Sequence, residues 1–583
     1  NSSDALDKLR YLSLTDAKYK KLKFDPKISI SFDKEGDTKT LTISDNGIGM
    51  DKTDLVESLG TIARSGTKKF LEQLTGDSKK DSNLIGQFGV GFYSCYMVAD
   101  KVEVLTKKAL DNKAYLWKSD GKTGFNIVDA KKEENGTTIK LFLNENGDEY
   151  SNRWSIQSVI KKYSDHIAFP IELHYEEEIE KKIEQKIDQV NSASAFWTKN
   201  KSSLKKKDYN EFYKSLSGDS DDPMIKLHTQ AEGTLVYTTL FYIPKKAPFD
   251  MYRADYKSGI KLYINRVFIT DDDKELMPTY LRFVKGIIDS EDLPLNVSRE
   301  ILQKNQILEK IKKKSIKKIL NEFKKLLNKN REKYALFYEQ YGIPIKEGLY
   351  QDFENKELLF DLVCFKTNKK DEFVTLEEYV KNMKKKQKSI FYLTGSNINE
   401  LKNSPLLEVC NNKNVEVLLM DHEIDEMIFG SVGKYKDHEF KSINHANALE
   451  EIQEDKEEKT KIDIKPFINK VKKVLGDKVK DVVSSRRLSD SPACVVADSN
   501  DPTAQMQEMF KQMGQGNMPD TKPIFEINPS HKIIKKLIKM NKTKAFDDSI
   551  MLLFDQALLV SNIKIENPGD FINRINKVLE KTL

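Results

Sequence analysis

Hydrophobic positions recur with two different periods in the first third of the chain. Alternation typical of strands appears at 28–32, 41–43 and 138–143, and helical spacing appears near 6–12 and 55–59. Turn residues, several of them glycines, bound these segments. The pattern predicts an α/β sandwich in which helices cover one face of a sheet.

The middle of the chain continues with strands and then changes to a long helix. Strands are predicted at 235–243 and 260–269, and a second αβ unit is predicted around strands at 389–394 and 415–419. An amphipathic helix lies between the two pairs of strands. Its apolar face is formed by Leu308, Ile311, Ile316, Ile319, Leu320, Phe323 and Leu327.

Two apolar helices are predicted near the end of the chain, the second of them after Pro568. Their apolar residues are Ile550, Leu553, Phe554, Ala557 and Leu558 in the first helix and Ile572, Ile575 and Leu579 in the second. Faces with this spacing suit four-helix packing between two copies of the chain. Burial of the same faces within one chain is the alternative.

Two charge-rich stretches, 176–188 and 450–461, interrupt these patterns. A run such as the first is typical of a solvated helix or a linker. We therefore predict four segments: an N-terminal domain at 1–178, a short charged linker at 179–192, a middle domain at 193–456 and a C-terminal domain at 457–583.

Composition excludes several classes of protein. The chain has 97 Lys+Arg against 91 Asp+Glu, and a net charge of +6 is small for 583 residues, which argues against binding nucleic acid through an overall field. No run reaches the roughly 18 consecutive apolar residues of a membrane span. The four cysteines lie far apart and lack metal-ligand spacing, which is typical of reduced thiols. We expect a cytoplasmic protein with neither nucleic acid nor membrane among its partners.

Candidate chemistry is concentrated in the first domain. The sequence DNGIGM, at 45–50, directly follows a predicted strand. A carboxylate there, beside glycines that permit close backbone approach, is suited to accept a hydrogen bond from an exocyclic amine such as that of adenine. Taken alone, this sequence is more often an ordinary turn.

A second glycine-rich sequence, GQFGVGF at 86–92, leaves backbone N–H groups available for phosphate oxygens. It lacks the Lys-Ser/Thr pair of a Walker A loop and the βαβ context of a dinucleotide fingerprint. Between the two sequences, LGTIARSGT at 59–67 is typical of a mobile flap, with an ordinary surface loop as the alternative. Thr137, after Gly136, could present a hydroxyl to the same pocket.

In this order, Asn1, DNGIGM, GQFGVGF and Gly136-Thr137 resemble the four-part nucleotide site of the GHKL ATPases. The resemblance implies ATP and Mg²⁺ as cofactors, with Asn1 coordinating the magnesium ion and Asp45 binding adenine. The glycine loop would close on the phosphates. The nucleotide-binding residues implied by the resemblance are Asn1, Asp4, Asp45, Gly49, Met50, Arg64, Gly89, Val90, Gly91, Phe92 and Thr137.

The sequences NSSDALDKLR, LGTIARSGT and GQFGVGFYS, together with LPLNVSREILQ at 293–303, look like those of the 90-kDa heat-shock chaperones. This resemblance implies an α/β (α+β) protein with an N-terminal GHKL (Bergerat-type) sandwich, an αβα middle domain and a mainly helical C-terminal dimerisation domain. By the same similarity, Arg299 would reach the γ-phosphate of ATP and Gln303 would support it. The short linker resembles bacterial rather than eukaryotic cytosolic members.

The family resemblance implies an ATP-driven, homodimeric molecular chaperone with slow ATPase activity. Its partners would be non-native client proteins and other chaperones. A Met-rich segment is the candidate client-binding patch, because methionine suits promiscuous apolar contacts, although core packing is the usual fate of such residues. The residues are Met506, Met509, Phe510 and Met513.

One departure from the family pattern concerns catalysis. The family's general-base glutamate lies four residues before the magnesium-binding asparagine, and this sequence begins at Asn1. We therefore expect this polypeptide to lack the glutamate and to hydrolyse ATP negligibly, whereas a longer parent chain would be a slow ATPase.

Three alternatives remain at this stage. A DNA-processing GHKL ATPase would place a lysine against the γ-phosphate. A sensor histidine kinase would need a phosphoacceptor histidine before the ATP domain, and the first histidine here is His166. A binding scaffold would bind ATP without turnover.

Overall fold

The computed structural model describes most of the chain. The described residues are 1–35, 37–61, 64–67, 70, 86, 89–179, 182–271, 276–293, 305–452, 464–512, 521–541 and 543–580. They form two compact units, one of Asn1–Pro278 with Arg282–Ile316 and one of Thr279–Leu281 with Lys317–Leu583. The domain limits predicted from the charge-rich stretches of the sequence divide the chain differently from these two units, and they stay predictions.

An eight-stranded sheet dominates the first unit. Its strands are β1 (Ile28–Glu35), β2 (Thr38–Asp45), β3 (Ala99–Lys107), β4 (Ala114–Ser119), β5 (Phe125–Ala130), β6 (Gly136–Leu143), β7 (Ile171–Ile179) and β8 (Lys182–Gln189). Their order across the sheet is β5-β4-β3-β6-β2-β1-β7-β8. Strands β1 and β7 pair in parallel, and the other neighbours are antiparallel.

Helices cover one face of this sheet, which confirms the predicted α/β sandwich. The helices are α1 (Ser2–Thr15), α2 (Lys52–Leu59) and α3 (Arg153–Tyr163). Leu6 of α1 and Ile160 of α3 pack against β1 and β7, and Leu55 of α2 packs against β3, β4 and β6. The other face carries charge: Glu103 pairs with Lys101 at 2.8 Å and with Lys118 at 3.0 Å.

The charged segment at 176–188 is neither a helix nor an irregular linker, so that prediction is wrong. It forms the end of β7 and most of β8, paired in register from Glu172↔Gln189 to Ile179↔Lys182. The side chains of β8 are mostly exposed. Because such a strand is held by backbone hydrogen bonds to its neighbour, its side chains can be polar on both faces, and composition alone then resembles a solvated linker.

A second sheet in the first unit has the strand order β12-β11-β13-β10-β9. Its strands are β9 (Ile225–Ala231), β10 (Tyr237–Ile243), β11 (Ile260–Ile264), β12 (Val267–Thr270) and β13 (Lys285–Ser290), and helix α4 (Lys206–Ser217) packs beside it. The strand predicted at 260–269 is therefore two antiparallel strands joined by a two-residue turn.

Helix α5 (Gln306–Lys329) has the apolar face that the sequence predicts. All seven predicted residues of this face are less than 9% exposed, while most of its lysines face outward.

The second unit contains two further sheets. A six-stranded sheet, ordered β15-β14-β17-β16-β19-β18, consists of β14 (Cys364–Thr367), β15 (Val374–Thr375), β16 (Ile390–Thr394), β17 (Leu418–Met420), β18 (Lys434–Tyr435) and β19 (His438–Ser442). Its helices are α6 (Arg331–Gln351), α7 (Lys356–Phe360), α8 (Leu376–Asn382), α9 (Ile398–Lys402), α10 (Glu408–Asn412) and α11 (Glu423–Val432).

The end of the chain combines a small sheet with helices. The three strands, ordered β20-β22-β21, are β20 (Asp481–Ser484), β21 (Ala493–Val496) and β22 (Ile524–Ile527). The helices are α12 (Lys465–Leu475), α13 (Ala504–Gln512), α14 (Lys532–Ile538), α15 (Lys544–Val560) and α16 (Pro568–Glu580). None of the described helices is both long and apolar enough to cross a bilayer.

Candidate functional site

Asp45 is the last residue of strand β2, and it is only 8% exposed. Its carboxylate accepts hydrogen bonds from the backbone N–H of Gly47, at 3.0 Å, from the Ser2 hydroxyl and from the backbone N–H of Thr137. Burial raises the pKa of Asp45 to about 6, against these hydrogen bonds, which lower it.

The turn after Asp45 brings three backbone segments close together. Gly49 has a φ of +66°, and a Cβ there would lie 1.9 Å from the carbonyl oxygen of Lys107. The N–H of Ile48 donates to the carbonyl of Ala5 at 3.0 Å, which docks the turn on α1. Glycine is required at position 49 because both the dihedral angle and the space exclude a side chain.

Two threonine hydroxyls lie beside Asp45 and the turn that follows it. Thr137 lies opposite Asp45 in the β2–β6 register, and its Oγ1 is 3.0 Å from that of Thr106. The Thr106 hydroxyl also accepts the N–H of Met50 at 3.0 Å. Thr137 and Met50 were predicted from the sequence and Thr106 was not, because Thr106 is one polar residue inside an ordinary strand pattern.

Asp4 is buried at the start of α1, with 3% exposure. Its Oδ2 accepts the N–H of Gly86 at 2.7 Å and the hydroxyl of Thr67 at 3.1 Å, and Ser65 donates to the carbonyl of Gly86. The structure therefore places the predicted ligand-binding Asp4 against the flap and glycine sequences, where it fixes both to α1.

Asn1 lies beside this cluster and is exposed. Its Oδ1 is 3.6 Å from the position that a Cβ on Gly86 would take. Within the described residues its side chain makes no capping bond to α1. The amide oxygen is thus next to the glycine segment and accessible.

The described part of the glycine sequence packs against the flap. Gly89 has a φ of +68°, and a Cβ there would lie 2.2 Å from the carbonyl oxygen of Arg64. A Cβ on Gly91 would have no neighbour within 4 Å among the residues that the structure describes. Val90 precedes a short 3₁₀ helix, Gly91–Met97, and Phe92 is buried in its first turn against Trp117. Phe92 therefore holds the loop to the core.

Two lysines that sequence reasoning missed lie near the predicted residues. Burial lowers the pKa of Lys8, whereas Asp4 and Asp54 raise it. Burial also lowers the pKa of Lys132. The negative charges of Asp45 and Glu134 oppose this, and Asp45 has the larger effect of the two. The i,i+4 spacing of Asp4 and Lys8 on α1 was a usable signal for the first, because such pairs share a helix face. No comparable signal marked Lys132.

The predicted catalytic residues Arg299 and Gln303 lie outside the described residues, as does Met513. The other members of the Met-rich patch, Met506, Met509 and Phe510, are on α13 and are half-buried.

Comparisons with known proteins show which family the chain belongs to. Residues 14–140 match the family described as histidine kinase-, DNA gyrase B-, and HSP90-like ATPase, and residues 176–583 match the family described as Hsp90 protein. The chain belongs to the Hsp90 family. The resemblance drawn from the motifs is thereby confirmed.

Relatives of this Hsp90-family chain include several proteins named chaperone protein HtpG. That of Treponema denticola is 53% identical, over 99% of this chain and 94% of the relative. Those of Wolinella succinogenes and Campylobacter jejuni are each 52% identical, over 100% of this chain and 94% of the relative.

Proposed function

We propose that this protein is an ATP-dependent molecular chaperone that binds and remodels non-native client proteins through a homodimeric clamp. The observation that carries the proposal is the carboxylate of Asp45 in the ATPase-like domain, which is buried at the end of β2 and lies opposite Thr137 in the β2–β6 register. Membership of the Hsp90 family and relatives named as chaperones support the client-binding part.

In the proposed site, Asp45 accepts a hydrogen bond from the exocyclic amine of adenine. The Thr137 hydroxyl and Met50 border the base, and the backbone N–H groups around Gly91 receive phosphate oxygens. Asp4 acts indirectly, because its Oδ2 already holds Thr67 and Gly86.

The donor groups present also fit Mg²⁺. Among the described residues, no three or more His, Cys, Asp or Glu side chains are grouped so that they could hold a metal ion. Magnesium bound to a nucleotide needs few protein ligands, because phosphates and waters supply the others. The accessible Asn1 Oδ1 would be the protein ligand, and the ion would neutralise phosphate charge.

For hydrolysis, we assign Arg299 to the γ-phosphate and Gln303 to its support, as the family motif implies. A guanidinium stabilises the negative charge that spreads over the transferred phosphoryl group. Because that charge develops during the transfer, Arg299 would act in the transition state more than in nucleotide binding.

The predicted dimer interface needs one revision. The apolar face of α15 is buried in its own chain, packed against β20, β21 and β22, because this small sheet needs a covering helix. By contrast, Ile572 and Leu579 on α16 are 52% and 50% exposed. We therefore assign dimerisation to α16 and the exposed last turn of α15.

The half-buried apolar residues of α13 are the proposed client surface. The cytoplasmic location stays a prediction.

Suppression of client aggregation tests the proposal. The full-length gene product should slow the aggregation of a thermally unfolded protein, and ATP should change the effect. Asp45→Asn should respond no longer to ATP, whereas Asp129→Asn, on an edge strand, is the matched control and should behave as the unsubstituted protein. Identical activity with and without ATP would support a binding scaffold instead.

A further inference from the structure

One peptide group connects Asp45 to the turn that follows it. This group joins Asn46 to Gly47, and its N–H donates to Oδ1 of Asp45 at 3.0 Å. Among the hydrogen bonds that lower the pKa of Asp45, this one has the largest effect. A trans peptide is planar, and its C=O and N–H point in opposite directions, so a donor that holds the carbonyl also fixes the direction of the N–H.

The donor on the carbonyl side is the side-chain amide of Asn135. Its Nδ2 lies 3.1 Å from the carbonyl oxygen of Asn46 and 2.8 Å from that of Gly47. Both partners are acceptors, and the two N–H bonds of the amide match them in number. A chain of hydrogen bonds therefore runs from Asn135 through the peptide group to Asp45, and the bonds of such a chain polarise one another.

The segment that carries Asn135 is itself held close to β2 and β3. Gly136 has a φ of +114°, and a Cβ there would lie 2.1 Å from the carbonyl oxygen of Asp45. It pairs with Lys107 in the β3–β6 register. The Nζ of Lys107 donates to the carbonyl of Glu133 at 2.7 Å. Because the backbone is held both before and after Asn135, its amide reaches the turn from a fixed position.

The side chain of Asn46 holds the turn from another direction. Its Oδ1 accepts the N–H of Lys27 at 3.0 Å, and its Nδ2 donates to the carbonyl of Asp25 at 2.6 Å. These two bonds are exposed, whereas those of Asn135 are partly buried. A hydrogen bond is stronger where the local dielectric is lower, so Asn135 contributes more to the position of the turn.

We propose that Asn135 is a positioning residue for adenine, which holds the peptide group that directs the Asp45 carboxylate toward the exocyclic amine of the base. This inference rests on the proposed function, because it assumes that Asp45 accepts that amine. Asn135 itself would contact neither the base nor the phosphates and would act only through the turn. A carboxylate that is free to rotate would lose part of a directional, charge-assisted hydrogen bond.

Asn135→Leu tests this role, because leucine has a similar shape and no donor. In the full-length gene product we expect its calorimetric Kd for ATP to rise about tenfold, which is part of the value of a charge-assisted hydrogen bond. Asn135→Ala should show the same change without adding an apolar side chain. Asn135→Gln keeps the N–H₂ group and should recover part of the loss. Circular dichroism checks that each variant is folded.

A second nucleotide separates this role from a merely structural one. Purine riboside triphosphate carries hydrogen in place of the exocyclic amine of adenine, so it cannot use the bond to Asp45. Its Kd should change less than about twofold in Asn135→Leu and Asn135→Ala. General loosening of the domain would weaken the binding of both nucleotides alike.

Asn152→Ala is the matched control. The side chain of Asn152 also bonds to backbone, at the start of α3, where it accepts the N–H of Ser155 at 3.0 Å and donates to the carbonyl of Glu149 at 2.8 Å. Loss of this helix cap should lower the unfolding temperature and leave both Kd values unchanged.

Two results would overturn the inference while the proposed function stands. One is an unchanged Kd for ATP in folded Asn135→Leu and Asn135→Ala, and the other is an equal loss of affinity for the two nucleotides. A different result concerns the proposed function itself. If the unsubstituted protein binds ATP no more tightly than purine riboside triphosphate, Asp45 does not accept the adenine amine, and this inference fails with that assignment.

Discussion

The carboxylate of Asp4 accepts the backbone N–H of Gly86 at 2.7 Å, which joins positions 82 residues apart in sequence. The same oxygen accepts the hydroxyl of Thr67 at 3.1 Å. One buried carboxylate on α1 therefore holds both Thr67 of the flap sequence and Gly86 of the glycine sequence against this helix.

Asp4→Leu should loosen this junction. It would leave the Gly86 N–H and the Thr67 hydroxyl without their acceptor, at about 1–3 kcal/mol for each buried group. We expect the ATP-binding domain to unfold at lower urea and ATP affinity to fall. Thr67→Val is the matched variant: it removes one donor and should cost less. Equal stability of Asp4→Leu and the unsubstituted protein would show that the junction contributes nothing.

Asp45 should make stability depend on pH. Its pKa in the folded protein is raised from 3.8 to about 6, so between these values the folded state holds a proton that the unfolded state has lost. The contribution of Asp45 to the free energy of unfolding should therefore fall by about 3 kcal/mol as pH rises from about 4 to 6, at about 1.4 kcal/mol per pKa unit, and stay constant above pH 6.

Asp45→Asn removes this titration and isolates it from that of Asp7, whose pKa burial also raises to about 6. The urea midpoint of the variant minus that of the unsubstituted protein should therefore increase as pH rises from about 4 to 6. A difference between the two proteins that does not vary with pH would contradict the raised pKa.

Arg299→Ala should lower kcat far more than ATP affinity in the full-length gene product. The proposed contact forms with the transferring phosphoryl group, so its loss affects the transition state. Single-turnover rates and calorimetric Kd values measure the two effects separately. Parallel losses in both would make Arg299 a ground-state ligand.

Ile572→Asp combined with Leu579→Asp should convert the dimer to a monomer. Both side chains are exposed on α16, so the substitutions should leave the single chain folded. Light scattering gives the mass, and circular dichroism checks the fold. Ile183→Asp combined with Ile187→Asp, two exposed positions on β8, is the control and should remain dimeric.

The sequence predicts much of the fold where one face of an element is buried. The apolar residues of α5 and the strands at 28–32 and 138–143 follow this rule, since burial imposes a period. It fails at 176–188, where a strand is held by backbone pairing and its side chains stay polar. It also fails at 260–269, because Asn265-Arg266 lacks the glycine that marks a two-residue turn.

The candidate site divides in the same way. Asp45 and the glycines were predictable because their motifs state a local backbone requirement. The sequence could not predict the contacts of Asp4 with Thr67 and Gly86 or the contact of Thr106 with Thr137, since these contacts join segments far apart in sequence.

Calorimetric titration of ATP into this polypeptide, beside its Asp45→Asn variant, tests the nucleotide site most directly. The proposed site predicts one ATP bound per unsubstituted chain. It predicts no measurable binding to the variant, which circular dichroism should show to be folded. The hydrogen bond from the adenine amine to Asp45 is charge-assisted and worth about 1.5–3 kcal/mol. In the variant, the N–H₂ group of the amide would face the adenine amine, so that two donors would oppose each other. Equal ATP affinity in a folded Asp45→Asn variant would contradict the site.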